Sequence, residues 1–252
     1  MLTIYRTAAN CIVRSPAFFV VMSLLIFVGG VAVEYFEVSS SALFVAWVII
    51  AYHFHRGLMF GELDWARKPQ DLARPTGMGW FAFIFAGSFL LTVGLVTWSA
   101  LAIAKNTPLG SEDGTTVGLV LVMYCVASLV LLPIFGTASP AAAAADRFGL
   151  AITLQRARTT WFKIFKGLIV GPGLYWAAYL GGLIWFQSNV LEIDRYHTTA
   201  GGWQFEQLML GVVLSFLQVV PVLLTATVLC LAYKEVASTE VQEVMLPELK
   251  AS

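Results

Sequence analysis

The fold class this sequence predicts is all-α and polytopic: six transmembrane helices with amphipathic helices lying on the cytoplasmic interface. Three observations predict it. Apolar residues make up 59% of the 252 positions, and mean hydropathy is +0.80. Charged residues are 12% of the chain, against about 25% in a soluble domain. Finally, PAFFVVMSLLIFVGGVAV (Pro16 to Val33) and GWFAFIFAGSFLLTVGLVTWSALAIA (Gly79 to Ala104) carry no charge at all. A core about 30 Å thick needs about 20 such residues in a helix. Strands of a membrane barrel would alternate apolar and polar residues in short segments, and nothing here alternates.

The first 15 residues, MLTIYRTAANCIVRS, are too polar to span. Leu2, Ile4, Tyr5, Cys11, Ile12 and Val13 make an apolar stripe opposite Arg6, Thr7, Asn10 and Arg14, which predicts a short helix lying on the membrane surface. Ser15-Pro16 then reads as a cap followed by proline at the first helical position. Arg6 and Arg14 ahead of an apolar run also fit a signal peptide. However, the run is as long as a span and ends in Glu34 and Glu37 without a small-residue cleavage pattern, so it is read as a retained first helix.

Six apolar segments follow, at about 17–36, 40–56, 79–104, 116–138, 164–187 and 206–233. They define a membrane domain over 16–233, with 234–252 as a short cytoplasmic tail. Between the fourth and fifth segments, Ser139-Pro140 repeats the cap pattern ahead of AAAAADRFGLAITLQRARTTWFKIFK. The alanines favour helix. The stretch is expected to form an interfacial helix that turns near Phe148-Gly149, with Arg147, Arg156, Arg158, Lys163 and Lys166 contacting lipid headgroups.

Charge sets the orientation. Of the 15 Lys and Arg residues, all but Lys105 and Arg195 fall in the N-terminal arm, the 56–78 connection, the 139–166 region and the tail. The positive-inside rule then puts both termini in the cytoplasm and requires an even number of spans. The implied location is a bacterial cytoplasmic (inner) membrane.

Few residues offer chemistry. HFHRGLMFGELDW places His53, His55, Glu62 and Asp64 close together as a weak metal candidate. On a helix, positions i and i+2 point to different faces, so both histidines could hold one ion only if the helix had already ended. An interfacial cluster with Arg56, Trp65, Arg67 and Lys68 is the expected arrangement. His197 lies on the opposite side, so no histidine pair brackets a membrane haem. Cys11, Cys125 and Cys230 show neither metal spacing nor a disulfide framework.

The spans hold almost nothing ionisable at depth, unlike ion-coupled transporters. Gln187, Gln218 and Thr225 are the candidates for a polar cavity. Pro133, Pro172 within Gly171-Pro172-Gly173, and Pro221 put one break in each of the last three spans, where freed carbonyls sometimes form ion sites. Gly87, Gly94 and Gly181-Gly182 offer surfaces for close helix approach. There is no phosphate loop, nucleophile elbow or HExxH, and the scattered basic residues do not form a nucleic-acid surface.

Three stretches carry a resemblance: YRTAANCIVRSPAFFVVMSLLIF, FGLAITLQRARTTWFKIFKGLIV and VLLTATVLCLAYKEV. In order and spacing the chain resembles the YciC-like bacterial six-helix proteins and the membrane domain of some glycerophosphodiester phosphodiesterases. The resemblance rests on Ala151, Leu154, Trp161, Lys163 and Ile164 before the fifth span, and on Tyr233 with Glu235 after the last. It implies a six-helix membrane domain, which in that group has no agreed catalytic residues to carry over, and without a phosphodiesterase domain on this chain it implies no enzymatic activity.

The expected role is an accessory or scaffold protein, with no enzymatic activity and no cofactor, that packs with other integral membrane subunits, or with itself, and with membrane lipids. The alternatives are a transporter or channel-like protein for a lipidic or apolar solute, using the proline breaks, and a metal-dependent membrane enzyme using Glu62 and Asp64.

Overall fold

A computed structural model describes residues 2–35, 40–60, 77–106, 113–146, 149–189 and 205–250. Among them every regular element is helical: α1 (Leu2–Arg14), α2 (Pro16–Tyr35), α3 (Ser40–Phe60), α4 (Met78–Asn106), α5 (Asp113–Phe135), α6 (Ala138–Ala143), α7 (Leu150–Leu168), α8 (Leu174–Asn189) and α9 (Phe205–Lys250). A π-helical segment, Ile169–Gly173, joins α7 to α8. Four helices are long and apolar enough to cross a membrane, over Pro16–Val33, Leu43–Phe60, Met78–Ser99 and Met209–Glu240. The described side chains of α5 form a shorter apolar stretch, Val122–Phe135.

Element bounds differ from expectation in three places. The amphipathic segment ahead of the fifth apolar run and that run itself form one unbroken helical path from Leu150 to Asn189, with the π segment inside it. Proline at position 172 cannot donate to the α ladder, and the wider π turn takes up the misfit at that point. α9 continues past Tyr233 through the expected tail to Lys250, because extending an existing helix adds a bond per residue without a new nucleation cost.

The third difference lies in the alanine run. It stops after six residues, and the N-cap is Thr137 rather than Ser139. Ala145 has φ 54, its N–H donates to the Ala142 carbonyl, and the N–H of Asp146 donates to Ala141. This is a Schellman ending with alanine where glycine is usual.

The chain divides into two compact units, Met1–Arg74 with Gly167–Val228, and Pro75–Lys166 with Leu229–Ser252. The first is built on aromatic packing. Phe19 stacks on Phe54 with ring centroids 5.3 Å apart, and Phe18 meets both rings at 5.8 Å. Met22, Ile26, Ile50, Val219 and Leu223 complete this core. Ala8 and Cys11 of α1 join it, whereas Leu2 and Val13, expected on the same stripe, are exposed.

In the second unit backbones approach one another closely. A Cβ on Gly77 would lie 1.7 Å from the Ala142 carbonyl oxygen, and one on Gly136 would lie 2.3 Å from the Leu132 carbonyl oxygen. Only glycine fits at either place. Phe81 is fully buried beside them and stacks on Phe85.

Candidate functional site

His53 and His55 both sit inside α3, which runs on to Phe60, so the helix has not ended between them and they point to different faces. His53 meets the edges of Phe18 and Tyr52 at 6.0 and 5.7 Å. His55 is buried, and its Nδ1 donates to the Ala51 carbonyl one turn back at 2.8 Å. Arg56 is also buried, donating to the Tyr52 hydroxyl at 3.2 Å and lying over the Tyr52 and Phe60 rings. Glu62, Asp64 and Arg147 lie outside the described residues. Among the described residues, no three of His, Cys, Asp and Glu come together as a metal set would require.

Tyrosines reach the backbone at two of the proline breaks. Tyr5 on α1 donates its hydroxyl to the carbonyls of Val170 and Gly171, at 2.6 and 3.0 Å, beside Pro172. Tyr175 donates to the Leu217 carbonyl at 2.8 Å. Leu217 is four residues before Pro221, so its oxygen is the one that proline strips of an amide partner. Thr225 turns its hydroxyl back to the Pro221 carbonyl at 2.8 Å. Gln218 is half-buried nearby, and the side chain of Gln187 lies outside the described set.

The glycines expected to allow close approach do not do so among the described residues. Nothing stands within 4 Å of a Cβ on Gly87, Gly94, Gly181 or Gly182. The close approaches fall instead at Gly77, Gly136 and Gly167, the last with Val228 Cγ1 2.7 Å from the added Cβ.

The densest polar arrangement is in the second unit, between α7 and the last turns of α9. Arg156 holds Glu240 with both ends of its fork, Nε to Oε1 at 2.9 Å and Nη2 to Oε2 at 2.7 Å. Asp146 Oδ2 is 3.8 Å from the same Nη2, and the guanidinium lies 5.2 Å from the Tyr233 ring centroid. Tyr233 donates its hydroxyl to Asp146. Two turns along α7, Lys163 pairs with Glu235.

Arg156 has only 6% of its side chain exposed against 45% for Glu240. The hydrogen bonds to Glu240 raise the guanidinium above its ordinary value despite burial, so the charge is fixed. A bidentate pair of this kind is geometrically demanding and sets the rotation of α7 against the end of α9. The polar cleft beside it, about 250 Å³, is lined by Gln155, Thr159, Thr160, Lys163, Glu235 and Val236.

Of the residues expected at headgroups, Arg156 is thus buried against a carboxylate and Lys163 faces one, while Arg158 and Lys166 stay exposed. Glu240, Asp146 and Tyr233 had no such signal beyond the Tyr233–Glu235 pattern itself. In the first unit Cys11 lies beside a small cleft with Thr7, Asn10, Arg14 and Gly57. Burial pushes its thiol up to about 11 against the opposing pull of Arg14, leaving it protonated and unreactive near neutral pH.

Several polar side chains of each unit thus tie one element to another: Tyr5 and Tyr175 in the first, Arg156, Lys163 and Tyr233 in the second. Comparison with protein-family models, curated proteins and solved structures finds no match to this chain.

Proposed function

We propose that the chain is a six-span accessory or scaffold protein of a bacterial cytoplasmic membrane, with both termini inside, packing against other membrane subunits or its own copies and against lipid. In this reading α5 and the stretch from Gly167 through α8 supply the two spans beyond the four apolar helices. The positive-inside bias supports the orientation. The likeness to the YciC-like group belongs to the same proposal, and its anchors Lys163 and Glu235 meet as an ion pair.

One observation carries the functional part: α4 is an apolar helix that its own chain scarcely covers. Only 17% of its apolar window is buried, against half of that in α9. Trp80, Phe83, Leu90 and Trp98 are all exposed along it. The bare glycines Gly94, Gly181 and Gly182 add surfaces on which a neighbouring helix can lie close. Among the described residues, Tyr5, Tyr175 and Arg156 are engaged in holding one helix to another.

Purification of the full chain in mild detergent, with its mass and stoichiometric companions determined, tests the reading. A homo-oligomer or a fixed set of membrane subunits is expected. A lone monomer with no companion and with solute-dependent uptake in vesicles overturns it in favour of a transporter.

A further inference from the structure

Near the start of α4 the second unit carries an apolar groove of about 330 Å³, walled by Trp80, Phe83, Leu91, Phe135 and Leu150. That volume lies at the low end of the range for small-molecule sites, about 300 to 1,000 Å³. Gly87 and Gly149 line the groove and keep it open, since nothing approaches within 4 Å of a Cβ on either. Ser88, on the α4 side, gives its hydroxyl to the Phe85 carbonyl and so offers little to a polar solute. The groove suits a hydrocarbon chain.

What would accompany that chain is written on α7. Leu150, Leu154, Arg158, Phe162 and Lys166 recur every four residues, and all are exposed. Each step of four turns about 40° further round the helix, so these positions form an exposed ridge that winds along α7, with Arg158 about 80° round from Leu150. On the other side Thr153, Arg156, Ala157, Thr160 and Ile164 are buried. The exposed row therefore starts at the groove with Leu150 and reaches its first cation, Arg158, eight residues later, about 12 Å along the axis. Arg156 is taken by Glu240, whereas Arg158 stays exposed on the winding ridge, between Leu154 and Phe162. An apolar slot leading to a cation matches a molecule with a hydrocarbon tail and an anionic head.

We infer that this groove binds one acyl chain of an anionic phospholipid from the surrounding bilayer, with Arg158 meeting the phosphate. The inference rests on the proposed membrane embedding and names the lipid class and the place.

The test uses the full chain in mild detergent, stripped of lipid and titrated with phosphatidylglycerol or phosphatidylcholine, with retained lipid weighed on the intact protein. One retained phosphatidylglycerol per chain is expected, preferred over phosphatidylcholine by about tenfold, the worth of a charge-assisted hydrogen bond. Gly87→Leu fills the slot where space is open and abolishes retention of both lipids with unfolding temperature unchanged. Arg158→Gln keeps the chain bound and removes the preference.

Unchanged retention in Gly87→Leu, or a preference that survives Arg158→Gln, overturns the inference. A photo-crosslinking residue replacing Phe83 gives an independent measurement that needs no folding control. An adduct of lipid mass supports the inference, and an adduct of polypeptide mass overturns it. A chain that needs detergent but retains no lipid sinks only this inference. A chain that stays dispersed without detergent sinks the membrane reading with it.

Discussion

The two units solve the same problem, holding apolar helices in register, by different means. In the first, the polar links between helices are neutral: Tyr5, at the surface, and Tyr175, packed against the core of Phe18, Phe19 and Phe54, give hydroxyls to backbone oxygens within four residues of a proline. In the second, the links are ionic, with Arg156 gripping Glu240 and Lys163 pairing with Glu235, next to bare backbone contacts at Gly77 and Gly136. The difference is one of desolvation. A phenol carries little charge into an apolar setting and needs one acceptor, so it suits a place without water. The Arg156 guanidinium, 6% exposed, meets a full carboxylate in Glu240, whereas the buried Arg56 of the first unit meets only a phenol and aromatic faces among its described partners.

Substitutions sharpen this contrast. The largest loss is expected for Gly77→Ala, whose new Cβ meets a backbone oxygen that no rotamer can move. It should cost about 3 kcal/mol, read as a lowered unfolding midpoint in detergent, and an unchanged midpoint would mean that α4 and α6 do not touch there. Next comes Arg156→Gln, which strips the buried end of the ion pair and leaves Glu240 partly solvated. About 2 kcal/mol is expected, below the full penalty for a wholly buried pair, and a double-mutant cycle with Glu240→Gln should recover part of it.

Smaller effects follow. Tyr5→Phe removes one hydroxyl shared by two carbonyls, an expected loss of about 1 kcal/mol, with hydrogen exchange rising around Val170 and Gly171 and not around Leu217. Ala145→Gly should move the other way, stabilising by about 0.5 kcal/mol, because φ 54 strains alanine by more than glycine loses in chain entropy. The least is expected of Lys163→Ala. With both partners more than half exposed, the change should stay below about 0.5 kcal/mol and vanish in 1 M salt. A larger, salt-resistant effect would move that pair into the same class as Arg156.

Sequence pattern reached far into this architecture where the information was local. Charge-free runs located α2 and α4 to within two residues of their ends, and the Ser15-Pro16 pair marked the first helical position of α2. Basic residues among aromatics identified α7 as amphipathic. What pattern missed depends on contact at long range. Arg156 and Glu240 are 84 positions apart, and Tyr5 and Val170 are 165 apart, so no window along the chain contains both members. Propensity also misled at the alanine run, where side chains that favour helix lost to a Schellman turn that sets Asp146 beside Arg156 and Tyr233. The candidate site was therefore half legible: Lys163 and Glu235 stood out as motif residues, but not as partners.

The hydroxyl of Tyr5 has a practical corollary for anyone handling this protein. The short polar helix α1 works as a stopper seated against the π turn that precedes α8. Removing it would take the phenol away from the Val170 and Gly171 carbonyls and leave the π turn without its outside brace.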